Sequence, residues 1–324
     1  MKKILAILMM CVLVLGCVTG CSSSNSQNGK LKVAIVQPME HTSLNEIRDS
    51  IIEELNALGL SDKIEIITQN ASGDMSLLPT IMQGLVNDNV DIIIPIATNT
   101  AQAAAAATDK IPIVFAAVSN PVEAGLVTSF DQTTKNITGV SDSVNVNEIL
   151  SLAQSLIPSL KTIGFVYNSS EINSITAIER AKEYCNSHNL AYKEATVTNT
   201  SDVQQAVTSL VGSVDAFFTP DDNTIASSMA TYTQIANENK LPIFVGADSM
   251  VKDGGFATVG ISYTLLGKQT AQMAKRILID GESISQNHVE QLSEYSKIIN
   301  TSTAKKINIT LSEDLLKTFT VISE

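Results

Sequence analysis

Apolar residues along this chain fall into short runs separated by stretches with helical spacing. From Leu31 onward the two kinds of segment alternate, the signature of a parallel sheet wound with helices. The run LKVAIVQ (31–37) reads as a strand, 44–58 as a helix stopped by Gly59, and 64–69 as a second strand. A helix over 75–87, a strand over 90–96 (VDIIIPI), a helix over 99–107 and a strand over 112–118 (PIVFAAV) complete one α/β unit. The pattern then restarts with a helix over 146–156, a strand over 162–167 (TIGFVY), a helix over 176–188 and a strand over 191–196. A helix over 203–210, a strand over 214–219 (VDAFFT), a helix over 225–239 and a strand over 242–246 (PIFVG) close the second half in the order of the first.

The expected fold is therefore α/β, with two doubly wound parallel-sheet domains around a central cleft. The first takes residues 31–142 plus about 263–296, and the second 143–262 plus about 297–324. The joints fall near 139–145 and 260–263, a helix over 265–279 returns to the first domain, and the end of the chain supplies a strand near 296–300 and a short helix over 313–319. Ligands of such sheets bind just beyond the carboxyl ends of the strands, so both sheets would face one cleft.

The first thirty residues stand outside this pattern. Lys2 and Lys3 precede an apolar run over 4–15 that falls short of a comfortable membrane span, which reads as a secretory signal. It ends Val18-Thr19-Gly20-Cys21, which resembles the lipobox of bacterial lipoproteins, with the small Gly20 before the cut. Residues 1–20 would be removed, Cys21 lipidated, and 22–30 left as a polar tether. A second candidate, ending at Cys17, carries the bulky Leu15 at its middle position. Cys11, Cys17 and Cys21 all lie in this region, which leaves Cys185 alone in the folded part and allows no disulfide there. Cys185 sits in an amphipathic segment, where a cysteine acts as a small hydrophobe.

Composition narrows the function classes. Hydrophobic residues at 44% against 17% charged exclude a wholly disordered chain. The net charge of −12 falls to −14 once Lys2 and Lys3 are removed, which argues against nucleic acid as a partner. Aromatic residues are only 4%, with no tryptophan, so the cores are expected to be aliphatic, as buried parallel sheets are. An acidic, lipid-tethered, extracytoplasmic protein follows.

The segments after the strands concentrate small polar and acidic residues: Glu40 and His41, Thr98 to Thr100, Ser119 and Asn120, Asn168 to Ser170, Asp221 to Asn223, and Asp248. Thr98, Asn99 and Thr100 open a helix whose unpaired N–H groups suit a carboxylate. Asp221, Asp222 and Asp248 suit an ammonium group, so a zwitterion would complement both domains. Helix N-capping accounts equally well for Thr98 or Asp222 taken singly. Asp248, a carboxylate at a sheet edge, has the fewest structural roles open to it. His41, His188 and His288 are scattered with no zinc spacing, and no calcium loop occurs, so no metal is expected. The segment after the first strand, 37–43, has no glycine to cradle a phosphate, and no G-x-S-x-G elbow occurs, which disfavours a nucleotide cofactor and a hydrolase. His41 reads as a rim residue.

Four segments together carry a family resemblance: PIATNTAQAAAAAT (95–108), IVFAAVSNPVEAGLV (113–127), ITGVSD (137–142) and PIFVGADSMVKDGGFATVGISYTLLGKQTAQMA (242–274). The chain over 30–319 resembles the ABC-transporter substrate-binding lipoproteins of the tryptophan/tyrosine uptake type, which have a type I periplasmic-binding-protein fold. The resemblance implies capture of a small solute, an aromatic amino acid such as tryptophan, tyrosine or phenylalanine, and its delivery to a membrane permease driven by an ATPase. It implies binding residues Glu40, Thr98, Asn99, Thr100, Ser119 and Asn120 in the first domain, and Tyr167, Asp222, Asn223 and Asp248 in the second. Rings available to a ligand are Tyr167, Phe115, Phe218 and Tyr263, with Tyr167 equally able to pack at the hinge. Closure about the hinge makes and breaks no bond, so neither a catalytic residue nor a cofactor is implied. Rival readings are a sugar or nucleoside receptor, against which the shortage of Trp and Phe weighs, a lipid-anchored ligand sensor, and an enzyme using His41, Ser43 or paired aspartates.

Overall fold

The structure is a computed structural model that describes residues 29–323 apart from 134, 293 and 294. Cys21 and the expected signal lie outside the described residues. In the first half β1 (Leu31–Gln37), β2 (Ile64–Asn70), β3 (Ile92–Pro95), β4 (Ile113–Ala116) and β5 (Ile137–Ser141) form a parallel sheet in the order β2-β1-β3-β4-β5. In the second half β6 (Thr162–Asn168), β7 (Ala191–Val197), β8 (Ala216–Thr219), β9 (Ile243–Val245) and β10 (Ala257–Gly260) repeat that order, β7-β6-β8-β9-β10, again in parallel. Three later strands close the edges. β11 (Glu290–Gln291) lies beside β5, β12 (Ser296–Asn300) runs antiparallel to β10, and β13 (Thr320–Ile322) lies parallel to β12. The chain thus crosses between the sheets after Ser141, after Gly260 and between Gln291 and Ser296.

Helices α1 (Thr42–Ala57), α2 (Leu78–Asn87) and α3 (Thr98–Ala107) wind the first sheet. The second is wound by α4 (Val146–Leu156), α5 (Ile172–Ser187), α6 (Val203–Leu210), α7 (Asn223–Ala226), α8 (Met229–Glu238) and α9 (Asp248–Lys252). The central strands β3, β4, β8 and β9 are buried at every position, because helices cover both faces. α10 (Tyr263–Leu278) returns to the first sheet and packs on α1. Gly267 permits the close approach: a Cβ there would lie 2.7 Å from the Ile47 carbonyl oxygen and from the Ser50 Cβ. α11 (Thr301–Lys306) and α12 (Glu313–Leu316) follow β12.

Several elements differ from expectation for identifiable reasons. The joint at 139–145 begins later, because Ile137–Ser141 is fully buried as β5; Gly139 is needed there, since a Cβ would lie 2.2 Å from the Phe115 carbonyl oxygen. The helix expected over 225–239 is broken into α7 and α8, and the Ser227 hydroxyl at the break donates to the Thr224 carbonyl, a bond that bends helices. The final helix stops at Leu316, and the residues after it pair as β13.

In each sheet the strand order reverses direction between two neighbours, β1 and β3 in the first, β6 and β8 in the second. The loops leaving these strands splay apart and open a crevice, so the segments after β1, β3, β6 and β8 surround the cleft.

Candidate functional site

Segments leaving the strands of both sheets wall a narrow pocket in the cleft. The first domain contributes His41, Ser43 and Leu44 after β1, Ala97 and Thr98 after β3, Ala117 and Ser119 after β4, and Asp142 after β5. The second contributes Asn173 at the start of α5, Asp221, Asp222, Asn223 and Ala226 after β8, and Ala247 and Met250 after β9, and Tyr263 joins them from the second crossing.

The two α10-side crossings are tied together by chemistry. The Tyr263 hydroxyl donates to Asp142 Oδ2 at 3.2 Å, and Ser119 Oγ donates to Asp142 Oδ1 at 2.8 Å. Asp221 sits beside them with its Oδ1 buried and without a partner. Gly246 makes room for it, since a Cβ there would lie 2.3 Å from that oxygen. Burial, then the charges of Asp142 and Asp248, push the Asp221 carboxyl well above the usual carboxylate range, against the opposing Tyr263 hydroxyl. Burial also raises Asp142. Among the described residues no Lys or Arg lines the cavity, so these carboxylates have hydroxyl donors there and no cation.

Asp222 has a different occupation. Its Oδ1 accepts from the Ile225 N–H at 2.9 Å and caps α7, while Oδ2 accepts from the Asn168 N–H at 2.6 Å and Ser174 Oγ at 2.8 Å. Burial and then Glu171 raise it to about 7. Asp222 thus caps α7 while lining the cavity, and Oδ1 of the neighbouring Asp221 has no hydrogen-bond partner.

On the first-domain side α3 starts at Thr98, and its N-cap is Ala97, which has no side-chain oxygen to satisfy the first N–H groups. Ala97 has φ 73° and Ala117 φ 55°, left-handed conformations that cost a non-glycine residue about 1–3 kcal/mol and cluster at ligand sites. Thr98 is thus the first helical residue and not its cap.

The expected binding residues divide accordingly. Thr98, Ser119, Asp222 and Asn223 line the cavity. Glu40 is exposed near Arg48 and, with Asn99, lines a separate polar groove at the cleft edge. Thr100 is buried along α3 with its hydroxyl unpartnered, and Asn120 caps a turn through the Glu123 N–H at 3.2 Å. The Tyr167 hydroxyl donates to Glu194 at 2.9 Å, away from the cavity, and Phe115 and Phe218 are fully buried in the core. Asp248 does not line the cavity; its Oδ1 accepts from the Ser249 N–H at 2.8 Å, and its Oδ2 lies 3.2 Å from Lys252 Nζ. Tyr263 is the one ring of the four that faces the site. Sequence reasoning missed Asn173, because α5 begins at Ile172, four residues before the helix the periodicity marks; the polar run Asn168 to Asn173 after a strand was the available signal.

Comparison with known proteins agrees with this architecture. Residues 32–322 match the family described as ABC transporter substrate binding protein. The tyrosine-binding protein of Clostridioides difficile (strain R20291) is 38% identical over 330 residues, covering 98% of this chain and 95% of that protein. An ABC domain from Streptococcus pneumonia solved in complex with L-Trp is 34% identical with a TM-score of 0.87, covering 91% of this chain and 100% of that one. The ligand-free, open structure of a Clostridium difficile substrate-binding protein with adhesive properties is 36% identical with a TM-score of 0.69, covering 90% and 99%.

Proposed function

The chain belongs to the family of ABC transporter substrate-binding proteins, and on that premise we propose that it captures a free aromatic amino acid in the interdomain cavity, closes over it and presents it to a membrane permease. The observation that carries this reading is the buried, unpartnered Oδ1 of Asp221 in a cavity that, among the described residues, has carboxylates and no Lys or Arg. A buried acceptor without a donor is costly, and an ammonium group supplies both the hydrogen bond and the charge. Asn173 Oδ1, also buried without a partner, is a second acceptor for the same group, since Asn173 Nδ2 donates to the Asp221 carbonyl at 2.8 Å. The uncapped first N–H groups of α3, with Thr98, suit the α-carboxylate. Leu44, Ala226, Ala247 and Met250 supply apolar wall for a ring.

The names of the relatives support the ligand class: one is called tyrosine-binding, and another was solved with L-Trp. At similar identity the fold superposes better on the L-Trp complex than on the open, ligand-free structure, as expected of a closed arrangement. Around this core reading stand the extracytoplasmic location, the lipid at Cys21 and the two-domain division at the three crossings. Replacing Cys21 by serine is expected to release the protein from the membrane fraction into the medium; unchanged membrane retention speaks against the anchor.

Calorimetric titration with tryptophan, tyrosine and phenylalanine tests the function. Tight binding of at least one is expected, with Asp221→Asn weakening it by at least about 30-fold, because one partner of a buried charge contact is lost. A protein that ignores all three, or an Asp221→Asn variant that binds as wild type, overturns the assignment.

A further inference from the structure

His41 carries a chemical demand that the zwitterion does not meet. It lies at the mouth of α1, lines the cavity and makes no capping bond to its own helix. Its Nε2 is 3.3 Å from Asn223 Oδ1. Which of the two donates is settled by the next residue along. Asn223 Nδ2 donates to the Glu171 carboxylate at 2.7 Å, and the Asn223 backbone N–H donates to the same oxygen at 3.1 Å. The Asn223 amide cannot be reversed without setting its oxygen against that carboxylate, so Oδ1 faces His41 as an acceptor. Nε2 therefore carries the proton. Burial lowers the ring to about 4, more than the Asn223 bond raises it, so the imidazole is neutral at physiological pH. In that tautomer Nδ1 is a bare lone pair, and it is buried with no partner.

The parts of an amino acid can be assigned in turn, on the reading that the ligand is one. The ammonium is drawn to Asp221 and Asn173, and the carboxylate, an acceptor, is repelled by a lone pair. What remains to meet Nδ1 is a donor on the ligand's side chain. We infer that His41 is a specificity-determining residue that selects aromatic amino acids carrying a side-chain O–H or N–H, a phenol or an indole, over phenylalanine. Glu171 and Asn223 of the second domain hold the tautomer, so the selection is complete only when the two domains have closed. A site built to bond a donor rejects the analogue that lacks it, because the protein's acceptor is left buried and unpaired.

The test compares ligands that differ in that donor alone: tyrosine against phenylalanine, and tryptophan against 3-benzothienylalanine, in which sulfur replaces the indole N–H. Whichever of tyrosine and tryptophan binds the wild-type protein tighter is expected to exceed its donor-less analogue by roughly 10- to 100-fold. In His41→Leu that ratio is expected to collapse to about twofold or less, and in His41→Asn, which returns an acceptor oxygen near the place of Nδ1, to recover in part; a purely structural role would lower both affinities and leave the ratio alone. Tight binding with equal affinity for both members of each pair, or an undiminished ratio in His41→Leu, overturns this inference while leaving amino-acid capture standing. Binding of none of the four overturns both. The wild-type ratio decides even where a variant does not fold.

Discussion

Asp221 and Asp222 are adjacent in sequence and opposite in role, and the difference lies entirely in what surrounds each oxygen. Three donors converge on Asp222, whereas Asp221 Oδ1 meets none. Asp222→Ala is accordingly expected to lower the melting temperature, at about 1–3 kcal/mol for the lost cap and the stranded donors. Asp221→Asn is expected to leave the ligand-free protein as stable or more so, since it keeps the shape of the carboxyl and removes a group that burial makes costly to ionise. The pH dependence follows from the same groups. Asp142, Asp221 and Asp222 all have folded-state values raised above the ordinary carboxylate, Asp222 to about 7. Between about pH 4 and 7 these three carboxyls hold more protons in the folded state, and they outnumber the buried His41, which holds fewer, so stability falls as pH rises through that window. A thermal-denaturation series on the ligand-free protein should show the melting temperature rising on acidification from neutral pH to about 5, with a smaller rise in Asp221→Asn. A flat profile in the wild-type protein would remove Asp221 from the buried, unpaired setting described above. Ligand binding has the reverse sense: an ammonium favours the ionised Asp221, so affinity should weaken on acidification, and binding should release protons.

At the scale of elements, the loops that build the cavity owe their placement to a few close approaches. α10 reaches the first domain only because Gly267 lets its backbone lie against Ile47 and Ser50 of α1. Gly267→Val is expected to push the helices apart and destabilise the protein by about 1–3 kcal/mol, as overpacking does, measurable by urea denaturation. Because Tyr263 begins the same helix, the variant should also weaken ligand binding; unaltered affinity would separate the helix packing from the site. The short α7 and α9 present Asp222 to Asn223 and Met250 to the cavity, and neither has a hydrophobic period long enough to mark it in the sequence.

For the molecule as a whole, the two halves are held together by contacts at and around the rim of the cavity. α1 faces α9 across the cleft. Ser43 Oγ is 2.6 Å from Ser249 Oγ, Thr42 Oγ1 donates to Asp253 at 2.9 Å, and Lys252 Nζ lies 3.1 Å from Glu46 Oε2. On the other side the Thr176 hydroxyl donates to Glu123 at 2.6 Å. Glu46 and Lys252 are partly exposed, so their pair contributes about 0.2–1 kcal/mol. Glu46→Gln is then expected to weaken every ligand equally, by about fivefold or less, through a faster off-rate; a change in the tyrosine-to-phenylalanine ratio would place Glu46 in the binding site itself. The alternation of apolar runs and helical periods was enough to determine the two repeated α/β halves and the return of the chain near Tyr263, because burial on both faces of a parallel sheet leaves a mark in every strand such as Ile92–Pro95. Which of the polar residues in the strand-end loops keeps an open bonding atom was decided by the tertiary structure alone. Asp221, Asp222 and Asp248 are the same chemical group after the strands of one sheet, and they become an open acceptor, a helix cap and the partner of Lys252 according to donors brought from distant parts of the chain. A residue's type states what it can bond, and only the fold determines whether those bonds are already taken.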